Sequence, residues 1–106
     1  MSDKQPKVSV IITCFNLENY ISRAINSCIN QTMSEDDYEI IVVDDCSTDG
    51  SLEIINGYGN LITQVVNLKN FGVAYSSNAG IKVAKGKYVV RVDGDDYINK
   101  SFLNTL

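Results

Sequence analysis

The residues in this sequence best suited to chemistry are carboxylates that follow apolar runs. Asp93, Asp95 and Asp96, spaced by Gly94, come directly after YVVRV (88–92), and Asp44 and Asp45 come directly after EIIVV (39–43). Like charges brought together repel by on the order of several kcal/mol per pair at intermediate dielectric. Protonation, solvation or a bound cation relieves that repulsion, and the cation is the economical answer. With no histidine in the chain, a hard oxygen ligand set suits magnesium or manganese, which commonly bridge one or two carboxylates to substrate phosphates. The expected chemistry is therefore a metal-diphosphate site. A net charge of −4 agrees with this: an acidic domain with few basic residues near the cleft is expected to bind a polyanionic nucleotide only if an ion supplies positive charge. The same charge disfavours nucleic acid and anionic lipid as partners.

Positioning those carboxylates falls to alternating strands and helices. Residues 8–13 are a β-branched apolar run, and Leu17, Tyr20, Ile21, Ala24, Ile25, Cys28 and Ile29 then recur at helical spacing. Asn16 stands where a helix N-cap is wanted. Residues 39–44 read as a second strand; Ser47, Thr48 and Asp49 are cap candidates for a short helix carrying Leu52 and Ile55, ended by Gly57 and Gly59. A third strand over 61–66, a third helix over 74–84 and a fourth strand over 88–92 follow, with Asn99 as cap of a last helix from Lys100. Continuous apolar strands between helices predict an α/β fold, a Rossmann-like and mainly parallel sheet with helices on both faces.

Right-handed crossovers give an expected strand order of 3-2-1-4. The sheet then reverses direction between the first and fourth strands, and ligands bind beyond the carboxyl ends of strands at such a reversal. Thr13, Cys14, Phe15 and Asn16 would flank one side and 93–96 the other, with Asp44 and Asp45 adjoining, so up to five carboxylates would converge. At 106 residues and 44% hydrophobic content the chain suits one domain. Residues 1–7 are polar, with no leader or membrane-spanning run, so a cytoplasmic setting is expected. Cys14, Cys28 and Cys46 lack CxxC spacing and read as reduced, small buried side chains. The chain stops at Leu106 just as a helix is predicted to begin, as a fragment of a longer, truncated domain would.

The ordered set of motifs resembles the family 2 inverting glycosyltransferases of GT-A fold, over nearly the whole chain. VSVIITCFN (8–16) looks like that family's opening strand and loop, although Cys14 and Phe15 depart from the usual Pro-Thr-Tyr-Asn ending. SCINQT (27–32), IVVDDCSTDGS (41–51), Asn70-Phe71-Gly72, NAGI (78–81) and AKGKY (84–88) leading into Asp93-Gly94-Asp95-Asp96 complete the series. A lone DxD would be weak, whereas an ordered series at strand ends is specific. The resemblance implies a donor-binding portion of a GT-A domain over 1–106, with a nucleotide-diphosphate sugar, UDP-sugar foremost, as partner. It implies that Thr13 and Asn16 border the nucleoside, that Asp45 contacts the base, that Asp93 faces ribose or metal, and that Asp95 is the principal ligand of manganese or magnesium. The acceptor, saccharide or lipid-linked, and the base that activates it would belong to a later segment. Transfer with inversion, polysaccharide assembly and placement at the inner face of a membrane are the family's settings.

Each site reading has a plainer competitor. Asp93, Asp95 and Asp96 suit a solvated turn, and Asp44 is as well explained by capping the next helix. Ser47, Thr48 and Asp49 read as caps. Phe15 either packs beside the nucleobase or staples the first helix. Asn78 shares a stripe with Ala74 and Ile81 and is expected to be buried, bonded to the acidic loop. Gly80 is expected where helix and sheet pack closely, and Arg91 either pairs with a cleft carboxylate or marks an exposed sheet edge. Among other classes, a dehydrogenase lacks GxGxxG, no P-loop is present, and a sugar nucleotidyltransferase lacks its glycine-arginine-rich opening loop. A phosphoacceptor receiver wants aspartate where the third strand ends in Asn67. A non-catalytic nucleotide-binding module is the remaining alternative.

Overall fold

The computed structural model describes residues 5–106. The polar stretch 1–7 thus lies mostly outside the described residues. Strands and helices alternate as β1 (Val8–Cys14), α1 (Ile21–Ile29), β2 (Tyr38–Asp44), α2 (Ser51–Asn56), β3 (Thr63–Val66), α3 (Val73–Val83) and β4 (Tyr88–Asp93). The sheet is parallel throughout, in the order β3-β2-β1-β4. The expected order and the reversal between β1 and β4 are both present.

Both faces of the central strands are covered, which is why every residue of β1 is buried. Val10, Ile12 and Cys14 pack with Ile21, Ile25 and Cys28 of α1 and Ile55 of α2. Ile11, Ile41 and Val43 point the opposite way, toward Ala79 of α3. Fully burying each of these aliphatic side chains contributes about 1.5–3 kcal/mol relative to exposure. Gly80 lets α3 lie this close, since a Cβ there would sit 2.6 Å from Ile11 Cγ2. At the amino end of the strands, Ser9 Oγ donates to Glu39 and accepts from the Gly86 amide at 2.7 Å. The Lys85 amide also donates to Glu39 at 2.6 Å. This latch fixes the point at which the chain enters β4.

Four expectations need correction. Asn16 does not cap α1, which starts only at Ile21; its φ of 52° lies in the left-handed region, where asparagine is tolerated but a helix cannot continue. The third strand starts at Thr63, after a 3₁₀ turn at Gly59–Leu61. Asn99 caps no α-helix; its carboxamide oxygen accepts from the Ser101 amide at 3.0 Å, and only a 3₁₀ turn at Leu103–Thr105 follows. Asn78 and Ile81 are exposed, because α3 turns Ser76 and Gly80 inward instead. Cys14 and Cys28 are buried thiols and Cys46 is only half-buried; burial pushes Cys28 up to about 11. Among the described residues no helix is long and apolar enough to cross a membrane.

Candidate functional site

The carboxyl ends of β1, β2 and β4 open onto one cleft of about 400 Å³. Thr13, Cys14, Phe15 and Leu17 line it from the β1 side, Asp45 from β2, Val73 and Ser76 from α3, and Arg91, Asp93, Gly94 and Asp95 from β4. Of the five carboxylates expected at the rim, three are there: Asp45, Asp93 and Asp95.

Asp44 and Asp45 are neighbours with opposite orientations, as the two-residue period of a strand requires. Asp44 is fully buried, and its carboxylate accepts from the Ser47 amide at 3.0 Å and the Ser47 hydroxyl at 2.7 Å. Capping the next loop is therefore its role, and it does not line the cleft. Asp45, 4% exposed, accepts from Asn67 Nδ2 at 2.9 Å, the Phe71 amide at 2.9 Å and the Gly72 amide at 2.8 Å. Asn67 Nδ2 also donates to Ser76 Oγ at 3.1 Å. Burial pushes the Asp45 carboxyl up, but the hydrogen bonds from Phe71, Asn67, Gly72 and Ser76 outweigh it and hold the group below its ordinary value. The result is an ionised clamp that fixes residues 67–72 and the start of α3 over the cleft.

Asn16 is not among the residues lining the cleft. Its carboxamide oxygen accepts from the Thr48 amide at 2.7 Å and the Asp49 amide at 3.3 Å, and its own amide donates to Ser47 Oγ at 3.0 Å. Asp49 accepts from the Ser51 and Glu18 amides. Asn16, Ser47, Thr48 and Asp49 thus brace the β1 and β2 loops against each other. That brace keeps Phe15, 41% exposed, at the cleft wall.

The β4 end is built differently. The Gly94 amide donates to the Thr13 carbonyl at 2.8 Å and the Asp96 amide to the Asp93 carbonyl at 2.9 Å. A Cβ on Gly94 would lie 2.6 Å from the Thr13 carbonyl oxygen, so this close crossing of β1 and β4 requires glycine. Arg23 of α1 donates to the Asp95 carbonyl at 3.0 Å and lies 4.5 Å from the Tyr97 ring centre. With its backbone held, Asp95 projects from a fixed turn, exposed at the rim. Asp93 is half-exposed, with Arg91 Nε 3.9 Å from Oδ1. Asp96 accepts from the Tyr97 amide and borders an adjoining depression. Both readings of Arg91 hold together, since it pairs with Asp93 on an edge strand of the described sheet.

Among the described residues, no group of three or more histidine, cysteine or acidic side chains stands ready to hold an ion by itself. Sequence reasoning missed the Asn67–Asp45 clamp, Ser76 in the cleft wall and the Arg23 tether. Only Asn70-Phe71-Gly72 signalled the first, as a motif without an assigned role.

A parallel α/β sheet whose cleft lies at a topological reversal defines a Rossmann-like nucleotide-binding class of architecture. Residues 9–106 match the model of Glycosyl transferase family 2, and the chain belongs to that family. It is 45% identical over 101 residues to a poly(ribitol-phosphate) beta-glucosyltransferase of Bacillus spizizenii, covering 92% of this chain and 16% of that protein. The crystal structure of S. aureus TarS 1-349 in complex with UDP superposes with a TM-score of 0.86 at 39% identity, over 93% of this chain and 30% of that one. The mannosyltransferase PcManGT from Pyrobaculum calidifontis, in complex with GDP-Man and manganese, gives 0.81 at 27% identity, over 90% and 29%. The chain therefore spans less than a third of the length of each of these proteins.

Proposed function

We propose that residues 1–106 are the donor-binding part of a glycosyltransferase that takes a sugar from a nucleotide-diphosphate sugar, UDP-sugar foremost, and passes it with inversion to an acceptor hydroxyl. One observation carries the reading: Thr13, Asp45, Asp93 and Asp95, from three separate strand ends, share one cleft. UDP in the TarS complex supports the choice of nucleotide. Thr13 and Phe15 border the nucleoside, with Asn16 holding the loop that carries them. Asp45 keeps the wall at Phe71 and Gly72 in place and faces the base. Asp93 and Asp95, two carboxylates on a tethered turn, would hold a divalent ion whose remaining ligands come from diphosphate and water, as magnesium and manganese sites commonly do. Manganese in the PcManGT complex supports that fit. Such an ion supplies positive charge where the leaving nucleotide becomes more negative.

The acceptor and its activating base belong to a portion that this chain does not carry, so binding without appreciable transfer is the expected behaviour of these residues alone. A cytoplasmic setting and a saccharide or lipid-linked acceptor are part of this reading. Calorimetric titration with UDP tests the reading. Binding that strengthens with manganese supports it, and an absence of UDP binding with or without manganese refutes it.

A further inference from the structure

Arg91 is the only cationic side chain lining the cleft among the described residues. It lies in register with Ile11, and Asp93 with Thr13, so both face the α3 side of the sheet. On that side of the sheet Gly80 of α3 packs directly on Ile11, and Ser76 lines the cleft. Arg91 sits at the cleft, half-exposed beside Asp93, with Nε 3.9 Å from Oδ1. At that separation the pair is a loose surface contact rather than a bidentate bond. A guanidinium matches the geometry of a phosphate group and gains more from two charge-assisted bonds to it.

We propose that Arg91 is a diphosphate-binding residue, a built-in counter-charge that leaves Asp93 for a phosphate oxygen of the donor when nucleotide enters. This rests on the nucleotide-binding reading above and adds a source of phosphate affinity that needs no ion. Release from Arg91 also leaves the Asp93 carboxylate, which lines the cleft, without its loosely held cationic neighbour. Arg91 is a binding residue here, and sugar transfer need not be measured to test it.

The probes are UDP and uridine, titrated into wild-type chain, Arg91→Met and Arg91→Lys, each with EDTA and with manganese, by NMR chemical shifts. In EDTA, wild type is expected to bind UDP more tightly than uridine, and Arg91→Met to lose about tenfold in UDP affinity while uridine affinity is unchanged. Arg91→Lys, which keeps charge but not the planar fork, falls between them. With manganese present the loss narrows, because the ion carries part of the phosphate contact. Equal UDP affinity of wild type and Arg91→Met in EDTA would overturn the proposal. So would wild-type UDP binding no tighter than uridine in EDTA, or a loss in Arg91→Met shared equally by uridine. Failure of wild type to bind UDP under any of these conditions removes the nucleotide-binding reading itself, and is seen before any variant is made.

Discussion

The two acidic rims of the cleft differ in what their carboxylates are already bonded to. At the end of β2, Asp45 is nearly buried and receives hydrogen bonds from Asn67, Phe71 and Gly72. At the end of β4, Asp93 and Asp95 are exposed, and it is the backbone around them that is fixed, through Gly94 to Thr13 and through Arg23 to the Asp95 carbonyl. One rim spends its charge on the fold, and the other holds its charge out on a rigid support. That division suits a site in which one wall shapes a nucleoside pocket and the opposite rim accepts an ion arriving with its ligand. It also separates stability from binding, so substitutions at the two rims should give opposite phenotypes.

The largest effect is expected from Asp45→Ala. It removes the shared acceptor of the Phe71 and Gly72 amides and one of the two acceptors of Asn67 Nδ2, which should lower unfolding free energy by about 3 kcal/mol in urea titrations. Because the folded carboxyl lies below its ordinary value of 3.8, its contribution is whole above that value. The part that depends on ionisation is lost as pH falls through the lower folded value, so the gap between wild type and Asp45→Ala should narrow in acid. A gap of the same size at neutral and acid pH would mean that ionisation of the clamp contributes nothing to the difference.

Asp95→Ala should do the reverse. We expect UDP affinity with manganese to fall at least about tenfold, or roughly 1.4 kcal/mol, while stability shifts by no more than about 0.5 kcal/mol. A strongly destabilised Asp95→Ala would erase the contrast between the rims. Smaller again is Asn16→Ala, which removes the acceptor for the Thr48 and Asp49 amides and should cost about 1 kcal/mol in thermal or urea unfolding. If it weakened UDP binding more than tenfold with stability intact, Asn16 would be a ligand contact and not only a brace.

Much of this was legible in the residues, for definite physical reasons. Buried parallel strands must be apolar along their whole length, so EIIVVD announced the sheet and the acids at its carboxyl edge, and YVVRVD announced a fourth strand, which as an edge strand is mostly exposed. Right-handed crossovers then fixed the strand order. What stayed hidden depended on phase or on distance along the chain. Whether Asp44 or Asp45 faces the cleft turns on a single residue of strand register. The inward stripe of α3 runs through Ser76 and Gly80 instead of Asn78, again a matter of helix phase. Asn16 reads as a cap because its left-handed conformation is imposed by partners more than thirty residues away, Thr48 and Asp49. The Arg23–Asp95 tether joins residues 72 apart, and no local pattern reports it.

The division between the rims is most directly examined by paramagnetic NMR, in which manganese broadens amide signals near the bound ion. With UDP present, substoichiometric manganese should broaden residues 93–96 first and Thr13 next, and Asp95→Ala should abolish that selectivity. Broadening centred instead on Glu35, Asp36 and Glu39 at the far end of the sheet, or unchanged in Asp95→Ala, would contradict the account.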